Sequence, residues 1–282
     1  MLIFLSCILA GCGSEKSDGN IFTKQVEVFG IHIYATDMVG DEKMLHAADV
    51  LAQYLDNDEE GTPDNQKVVD EIVAHNAGIF MTEYEGKYEG SELNRIFEEY
   101  LPPGPKQSVY DDQTYPDALV DGVFNIPQEK VLRGVQDAPW EEVLHVVTRQ
   151  GYAHAYPSVF GLTSGTELAK AMDLARGGHF PDRRPERYPD GAWFTYYDDY
   201  SCGYDCMMNE YIYWALTSIL GAQEVPGRLE AIQEEWRLNT REKVQAGDPA
   251  IYALLTDPQY KFPTVLPDKR YRAKTFQIKK YP

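Results

Sequence analysis

Apolar residues recur along the chain with two different periods. Between residues 26 and 33, Val and Ile occupy every second position except around Gly30, which predicts a strand with a bulge at that glycine. From residue 44 to residue 55, the apolar residues Met44, Ala48, Leu51 and Leu55 recur every three or four positions, which predicts a helix.

The same helical spacing, together with residues that commonly cap helices, predicts six later helices. Their predicted starts or caps are Asp64, Ser91, Pro139, Ser164, Asp205 and Pro226, and their predicted ends are Gly78, Tyr100, Gly151, Gly177, Leu220 and Asn239. A proline-rich segment at residues 102–105 is the best candidate boundary between an N-terminal region (residues 21–101) and a C-terminal region (residues 106–282). From Pro258 onward, prolines and basic residues predict an extended tail laid over the acidic body. These elements together predict an α+β fold that is predominantly helical.

The first eleven residues carry no charge and include a short apolar segment. This segment is too short to span a bilayer, which takes roughly 20 residues, but it has the length of the apolar part of a signal peptide. Residues 9–12, Leu-Ala-Gly-Cys, resemble the lipobox of bacterial lipoproteins, which implies a signal peptide at residues 1–11 and lipid on Cys12. Residues 12–20 have the composition of a flexible tether. We therefore expect a lipid-anchored protein of the bacterial cell envelope that faces the periplasm or the exterior; a buried apolar N-terminal strand is the alternative.

Acidic residues outnumber basic ones by 45 to 26, which gives a net charge of −19. This charge argues against a nucleic-acid partner, because phosphate binding needs clustered Lys and Arg. The aromatic content of 12% excludes a disordered chain.

Two cysteines, Cys202 and Cys206, lie beyond the N-terminal segment. Outside the cytoplasm a close pair is normally oxidised. Four-residue spacing on a helical turn places the Cα atoms about 6 Å apart, which is within the range of a disulfide. The alternative, a thiolate metal site, would need two more Cys or His residues nearby. The pattern favours a disulfide.

An acidic segment, residues 56–64, lies between the first two predicted helices. Its oxygen-bearing side chains at alternating positions, with Gly61 among them, resemble the calcium loop of EF-hand proteins. The ligands that this resemblance implies are Asp56, Asp58, Glu60, Thr62 through its backbone carbonyl, and Asp64. The segment departs from the EF-hand pattern at Pro63 and Lys67, where an aliphatic residue and a bidentate Glu are usual. A solvated acidic turn is therefore the alternative.

The helix predicted after Pro139 carries Glu141, Glu142 and His145. Residues four apart share a helix face, so Glu141 and His145 point the same way. The segment resembles the His-Glu-x-x-His helix of zincin metallopeptidases, with Glu141 in place of the first histidine. The resemblance implies that Glu141 and His145 hold a metal ion and that Glu142 is the general base. A carboxylate ligand broadens the expected metal from zinc towards manganese or iron.

A later helix is apolar on almost every face and contains Glu210. A buried carboxylate is costly unless it is paired, protonated or bound to a cation. Residues 210–216 resemble the segment that carries the third ligand in gluzincins of the lethal-factor-like branch, which implies Glu210 as the third ligand. That branch also has an upstream tyrosine that stabilises the oxyanion, and Tyr204 or Tyr200 could match it.

These resemblances imply a zincin-like helical core with a small sheet. The expected function is a metal-dependent hydrolase, peptidase-like, that acts on a peptide or protein substrate. It would use zinc or another divalent transition metal and be stabilised by calcium. The alternative is a non-catalytic calcium-binding lipoprotein that acts as a scaffold or interaction module, because the first zincin histidine is missing.

Overall fold

The computed structural model describes residues 20–120, 122–181, 185–195, 202–268 and 270–282. The predicted signal peptide, Cys12 and most of the predicted tether lie outside these residues, as does Tyr200. Within the described ranges, no helix combines the length and the apolar character needed to cross a membrane.

One five-stranded sheet forms the centre of the fold. The described strands are β1 (Lys24–Val28), β2 (Ile31–Ala35), β3 (Gly78–Thr82), β4 (Lys106–Tyr110), β5 (Leu119–Val120), β6 (Val123–Phe124) and β7 (Lys279–Lys280). The sheet order is β4–β3–β2–β1–β7, whereas β5 and β6 pair separately. β2, β3 and β4 are parallel, and β1 runs antiparallel to both of its neighbours.

The prediction of a single bulged strand around Gly30 is wrong. β1 and β2 form a hairpin instead. Phe29 and Gly30 both have positive φ, 51° and 84°, and such a pair reverses the chain in a two-residue turn.

Helices account for most of the remaining regular structure. They are α1 (Asp41–Leu55), α2 (Gln66–Ala74), α3 (Gly90–Tyr100), α4 (Gln128–Val131), α5 (Pro139–Val146), α6 (Ala153–Ala155), α7 (Pro157–Phe160), α8 (Glu167–Arg176), α9 (Tyr204–Ile219), α10 (Arg228–Ile232), α11 (Arg241–Gly247) and α12 (Pro249–Thr256). The predicted α+β class, predominantly helical, is confirmed.

Helices cover both faces of the sheet. Successive side chains of a strand point to opposite faces, and β3 shows the result: Ile79 packs into the larger core with α1, α2 and α5, and Phe80 packs into a smaller core with Ile96 of α3. This is why β3 is buried at every position. The larger core and the sheet both include residues from either side of residues 102–105.

The sequence predicts that the helix beginning at Pro139 ends at Gly151, but this prediction is wrong. α5 continues through a π-helical turn (Val147–Tyr152) into α6. A Cβ on Gly151 would lie 2.5 Å from Val68 Cγ1 and 3.1 Å from Ile72 Cδ1. The glycine therefore allows α2 to pack closely and does not cap a helix.

The second helix begins one residue later than predicted, with Asn65 as its cap position. The Asp64 carboxylate instead accepts a hydrogen bond from the backbone N–H of Asn57. Gly78 does not end this helix but begins β3, where a Cβ would lie 2.5 Å from the His32 carbonyl oxygen.

α8 is capped by Thr166 and not by Ser164, because the Thr166 hydroxyl accepts a hydrogen bond from the backbone N–H of Ala169. Its predicted end at Gly177 is confirmed by the left-handed conformation there. The helix predicted from Pro226 to Asn239 is reduced to α10, and the chain beyond it forms a bridge between Trp236 and Phe194. Beyond α12, where the sequence predicts an extended tail, the described residues contain no helix, and β7 lies near the end of the chain.

Candidate functional site

The first part of the site lies on α5. Pro139 is in the first turn of this helix, and the adjacent Trp140 is buried and donates its indole N–H to the Pro267 carbonyl. The Tyr54 hydroxyl of α1 donates to the Trp140 carbonyl at 2.8 Å. These bonds fix the start of α5 and so the direction of Glu141, which follows Trp140, and of His145 one turn further on.

The second part of the site lies on α9, whose residues from Met207 to Ile219 are all buried. Glu210, 5% exposed, is the carboxylate within this stretch. A helix that is apolar all round lies in the core, so a charge on it must be compensated by a partner.

The structure brings Glu141, His145 and Glu210 together, as the sequence predicted. His145 Nε2 lies 3.2 Å from Glu210 Oε1 and 3.8 Å from Glu141 Oε1. One ligand atom from each of the three residues lies within 4.8 Å of the other two. We call these three residues the carboxylate–imidazole cluster. Two carboxylates and one imidazole on one side of a divalent ion suit zinc, manganese or iron.

The cluster is electrostatically unusual. Burial lowers the pKa of His145, but the negative charges of Glu210 and Glu142 and the hydrogen bonds to Glu141 and Glu210 outweigh it, so this pKa is raised well above its ordinary value. Among the described residues, His145 Nδ1 has no hydrogen-bond partner. The ring therefore directs its Nε2 at the two carboxylates. A metal ion would have to displace a proton from this nitrogen.

Glu142 lies beside the cluster, half-buried. Gln107 of β4 donates its side-chain amide to Glu142 Oε2 at 2.5 Å. Burial and the charge of Glu141 raise the pKa of Glu142 to about 8, against the lowering effects of His145 and Gln107. Glu142 and Glu141 line one cavity of about 320 Å³, and His145 and Gln107 line a second of about 140 Å³. The cluster can thus be approached from two sides.

Tyr204, predicted to stabilise an oxyanion, points to a different part of the molecule. Its hydroxyl donates to Asp173 of α8 at 2.8 Å, and its ring contacts His179. One tyrosine that does reach the site is Tyr213, which lines the larger cavity, and its ring centroid lies 6.1 Å from that of His145. Sequence reasoning could have found Tyr213, because it lies three residues after Glu210 and so on the same helix face.

The predicted disulfide between Cys202 and Cys206 is present, with a Cα–Cα distance of 5.1 Å. Sulfur atoms of both cysteines and a carboxylate oxygen of Glu210 also lie within 4.8 Å of one another. The disulfide therefore lies next to the carboxylate–imidazole cluster.

The acidic loop (residues 56–64) is held by hydrogen bonds to its own backbone and to the tail. The buried Asp56 carboxylate accepts the backbone N–H groups of Glu60 and Gly61 and the Tyr271 hydroxyl. Glu59 accepts the Arg272 guanidinium. Groups of three His, Cys, Asp or Glu ligand atoms within 4.8 Å were found at two places in the described residues, and neither lies in this loop. Calcium binding by Asp56, Asp58, Glu60, Thr62 and Asp64 stays a prediction.

Comparison of the chain with protein-family models, with curated proteins and with solved structures found no match.

Proposed function

We propose that this protein is a metal-dependent hydrolase of zincin type, peptidase-like, presented on the cell envelope by lipid on Cys12. The observation that carries the proposal is the convergence of Glu141, His145 and Glu210 from two helices, with His145 and Glu210 65 positions apart along the chain. Glu141 and His145 share a face of one helix, and the buried Glu210 of the other helix faces the same imidazole nitrogen.

A divalent ion held by these three residues would activate water and polarise a substrate carbonyl. Glu142 would accept the proton of that water, since a nearby cation lowers the pKa of a carboxyl group. Gln107 would orient the Glu142 carboxylate through the amide hydrogen bond. Tyr213 would face the substrate from the larger cavity. The peptide or protein substrate would enter that cavity.

The test is metal analysis of the full chain purified in detergent, followed by assay against a mixed peptide library. We expect one equivalent of zinc, manganese or iron, and its loss in Glu141→Gln, His145→Ala and Glu210→Gln. Glu142→Gln should keep the metal and lose turnover, because the amide cannot accept a proton at neutral pH. Glu98→Gln, on the exposed face of α3, is the matched control and should change neither. A wild-type chain that takes up none of these metals at micromolar concentration would reject the proposal.

A non-catalytic calcium-binding scaffold is the second candidate. The observation that favours it is that the acidic loop holds the tail: the Asn57 side chain accepts the backbone N–H groups of Thr264 and Val265. A cation in the loop would then fix the tail. Calcium uptake without transition-metal uptake in the same metal analysis would favour this candidate.

A further inference from the structure

Glu210 of the carboxylate–imidazole cluster also lies beside the disulfide. Glu210 offers a carboxylate oxygen within 4.8 Å of the sulfurs of Cys202 and Cys206, and it also contacts His145. Cys206 lies one helical turn before Glu210 on α9, so the two side chains lie on the same helix face.

We propose that reducing the disulfide creates a second metal site, formed by the thiolates of Cys202 and Cys206 and the Glu210 carboxylate. The inference rests on the proposed function only for the oxidised protein, in which Glu210 serves the carboxylate–imidazole cluster. Both sites need Glu210, so reduction changes the ligand set available to one ion.

The position of Glu210 suits such a site. Ligand atoms around one tetrahedral ion with metal–sulfur bonds near 2.3 Å lie roughly 3 to 4 Å apart. A carboxylate oxygen of Glu210 already lies within 4.8 Å of both sulfurs, and the two sulfurs, bonded to each other here, would separate to that spacing once the disulfide is reduced. His145, whose Nε2 lies 3.2 Å from Glu210 Oε1, can supply a fourth ligand. Cys206 is in the first turn of α9, where the helix N-terminus favours the thiolate form.

The two ligand sets prefer different metals. Carboxylate and imidazole ligands accept manganese, iron or zinc, whereas two thiolates favour zinc and other soft ions. The oxidised protein would therefore bind a broad range of divalent ions, and the reduced protein would select zinc.

The chemistry balances with a dithiol as reductant. The disulfide takes two electrons and two protons from the dithiol, which leaves as its own cyclic disulfide. A divalent ion then binds as both thiols release their protons to solvent. Because binding and reduction are linked, zinc must make the disulfide easier to reduce by the same factor that reduction strengthens zinc binding.

The test uses cobalt(II) as an optical probe for zinc in the full chain purified in detergent. The reduced wild type should show a thiolate-to-cobalt charge-transfer band that saturates at one equivalent, with affinity at least tenfold above that of the oxidised protein. The double variant Cys202→Ser/Cys206→Ser should show no such band in either state. Glu141→Gln should keep the band when reduced, with affinity within about threefold of wild type.

The oxidised and reduced arms separate the two proposals. Cobalt binding to the oxidised protein, with a reduced protein that is folded and has free thiols but shows no band, would overturn the inference and leave the proposed function standing. A band in the reduced protein, without cobalt binding to the oxidised one, would support the inference and overturn the proposed function. If reduction lowers the helical circular dichroism, cobalt must restore it as the band appears; a helix loss that cobalt does not reverse would also overturn the inference.

Discussion

The acidic loop and the carboxylate–imidazole cluster are both rich in carboxylates, but their carboxylates contact different groups. In the loop, Asp56 is surrounded by hydrogen-bond donors from the backbone and from the tail. In the cluster, Glu141 and Glu210 face one imidazole nitrogen. The first arrangement satisfies negative charge with protein donors, whereas the second concentrates negative charge where a cation would bind.

The comparison teaches that acidic residues close in sequence and acidic residues brought together by packing contact different partners. Loop carboxylates can turn towards nearby N–H groups, which compete with an ion. On two packed helices, the side chains of Glu141 and Glu210 are directed at His145, and the backbone N–H groups of a helix interior are already bonded along the helix. We expect mutations in the two regions to change different properties: the stability of the fold for the loop, and metal affinity for the cluster.

The largest expected effect is on stability. Asp56→Ala leaves the N–H groups of Glu60 and Gly61 and the Tyr271 hydroxyl without their acceptor in a buried place, which costs roughly 2 to 4 kcal/mol. The free energy of unfolding from urea denaturation measures this loss. Asp58→Ala is the control, since Asp58 is exposed and should change the value by less than about 0.5 kcal/mol. Equal losses in the two variants would show that the buried position of Asp56 has no special role.

The second prediction concerns metal-linked stability. Zinc at 100 times its Kd should raise the free energy of unfolding of the wild type by about 2.7 kcal/mol, by mass action. Glu210→Gln should gain almost nothing at the same zinc concentration, because one ligand is lost. Glu98→Gln should gain as much as the wild type. Thermal or urea denaturation with and without zinc measures the difference, and a full gain in Glu210→Gln would place zinc elsewhere.

The sequence predicted the cluster more accurately than its surroundings. Glu141 and His145 could be placed on one face because helical spacing is regular, and Glu210 stood out as a carboxylate in an apolar helix. Tyr204 was misplaced because it lies at the start of α9, where the local contacts with Asp173 decide its direction. No local pattern indicates that Gln107, 35 residues before Glu142, would reach it through a parallel strand.

The fold shows the same limit. Helix existence followed from periodicity, but Gly151 was taken for a helix end because the sequence does not show that Val68 packs against it. The hairpin turn at Phe29 was missed because a bulky residue seldom adopts positive φ. Long-range packing decided the conformation at Gly151, whereas the turn at Phe29 rests on a local conformation that is rare for its residue type.

The third prediction concerns pH and the part of α1 beneath the tail. Burial raises the pKa of Asp49 to about 6 from 3.8, against a backbone hydrogen bond from Tyr271. Because folding raises this pKa, the folded state holds the proton more tightly, and the carboxyl lowers stability progressively as pH rises from 3.8 to about 6. The free energy of unfolding of Asp49→Asn, relative to that of the wild type, should therefore be about 1 kcal/mol higher at pH 7 than at pH 4. This is less than the full pKa shift implies, because Asp49 is partly exposed. Urea denaturation at both pH values measures the gain, and a difference that does not depend on pH would contradict it.

The smallest expected effect concerns calcium in the loop. At twice a Kd in the millimolar range, calcium should stabilise the wild type by about 0.6 kcal/mol. Asp58→Asn/Glu60→Gln removes two exposed charges and should abolish the gain while leaving Asp56 in place. A melting curve that millimolar calcium does not move would identify the loop as a solvated turn that holds the tail.

The pairing of β7 with β1 has a consequence for solubility. An open sheet edge offers unpaired N–H and C=O groups on which a strand from another molecule can add. Lys279 and Lys280 pair with Gln25 and Lys24 and cover part of that edge with two positive charges, one of which contacts Asp41. A chain shortened before residue 279 should keep its core and its cluster, yet form edge-to-edge aggregates through the exposed side of β1.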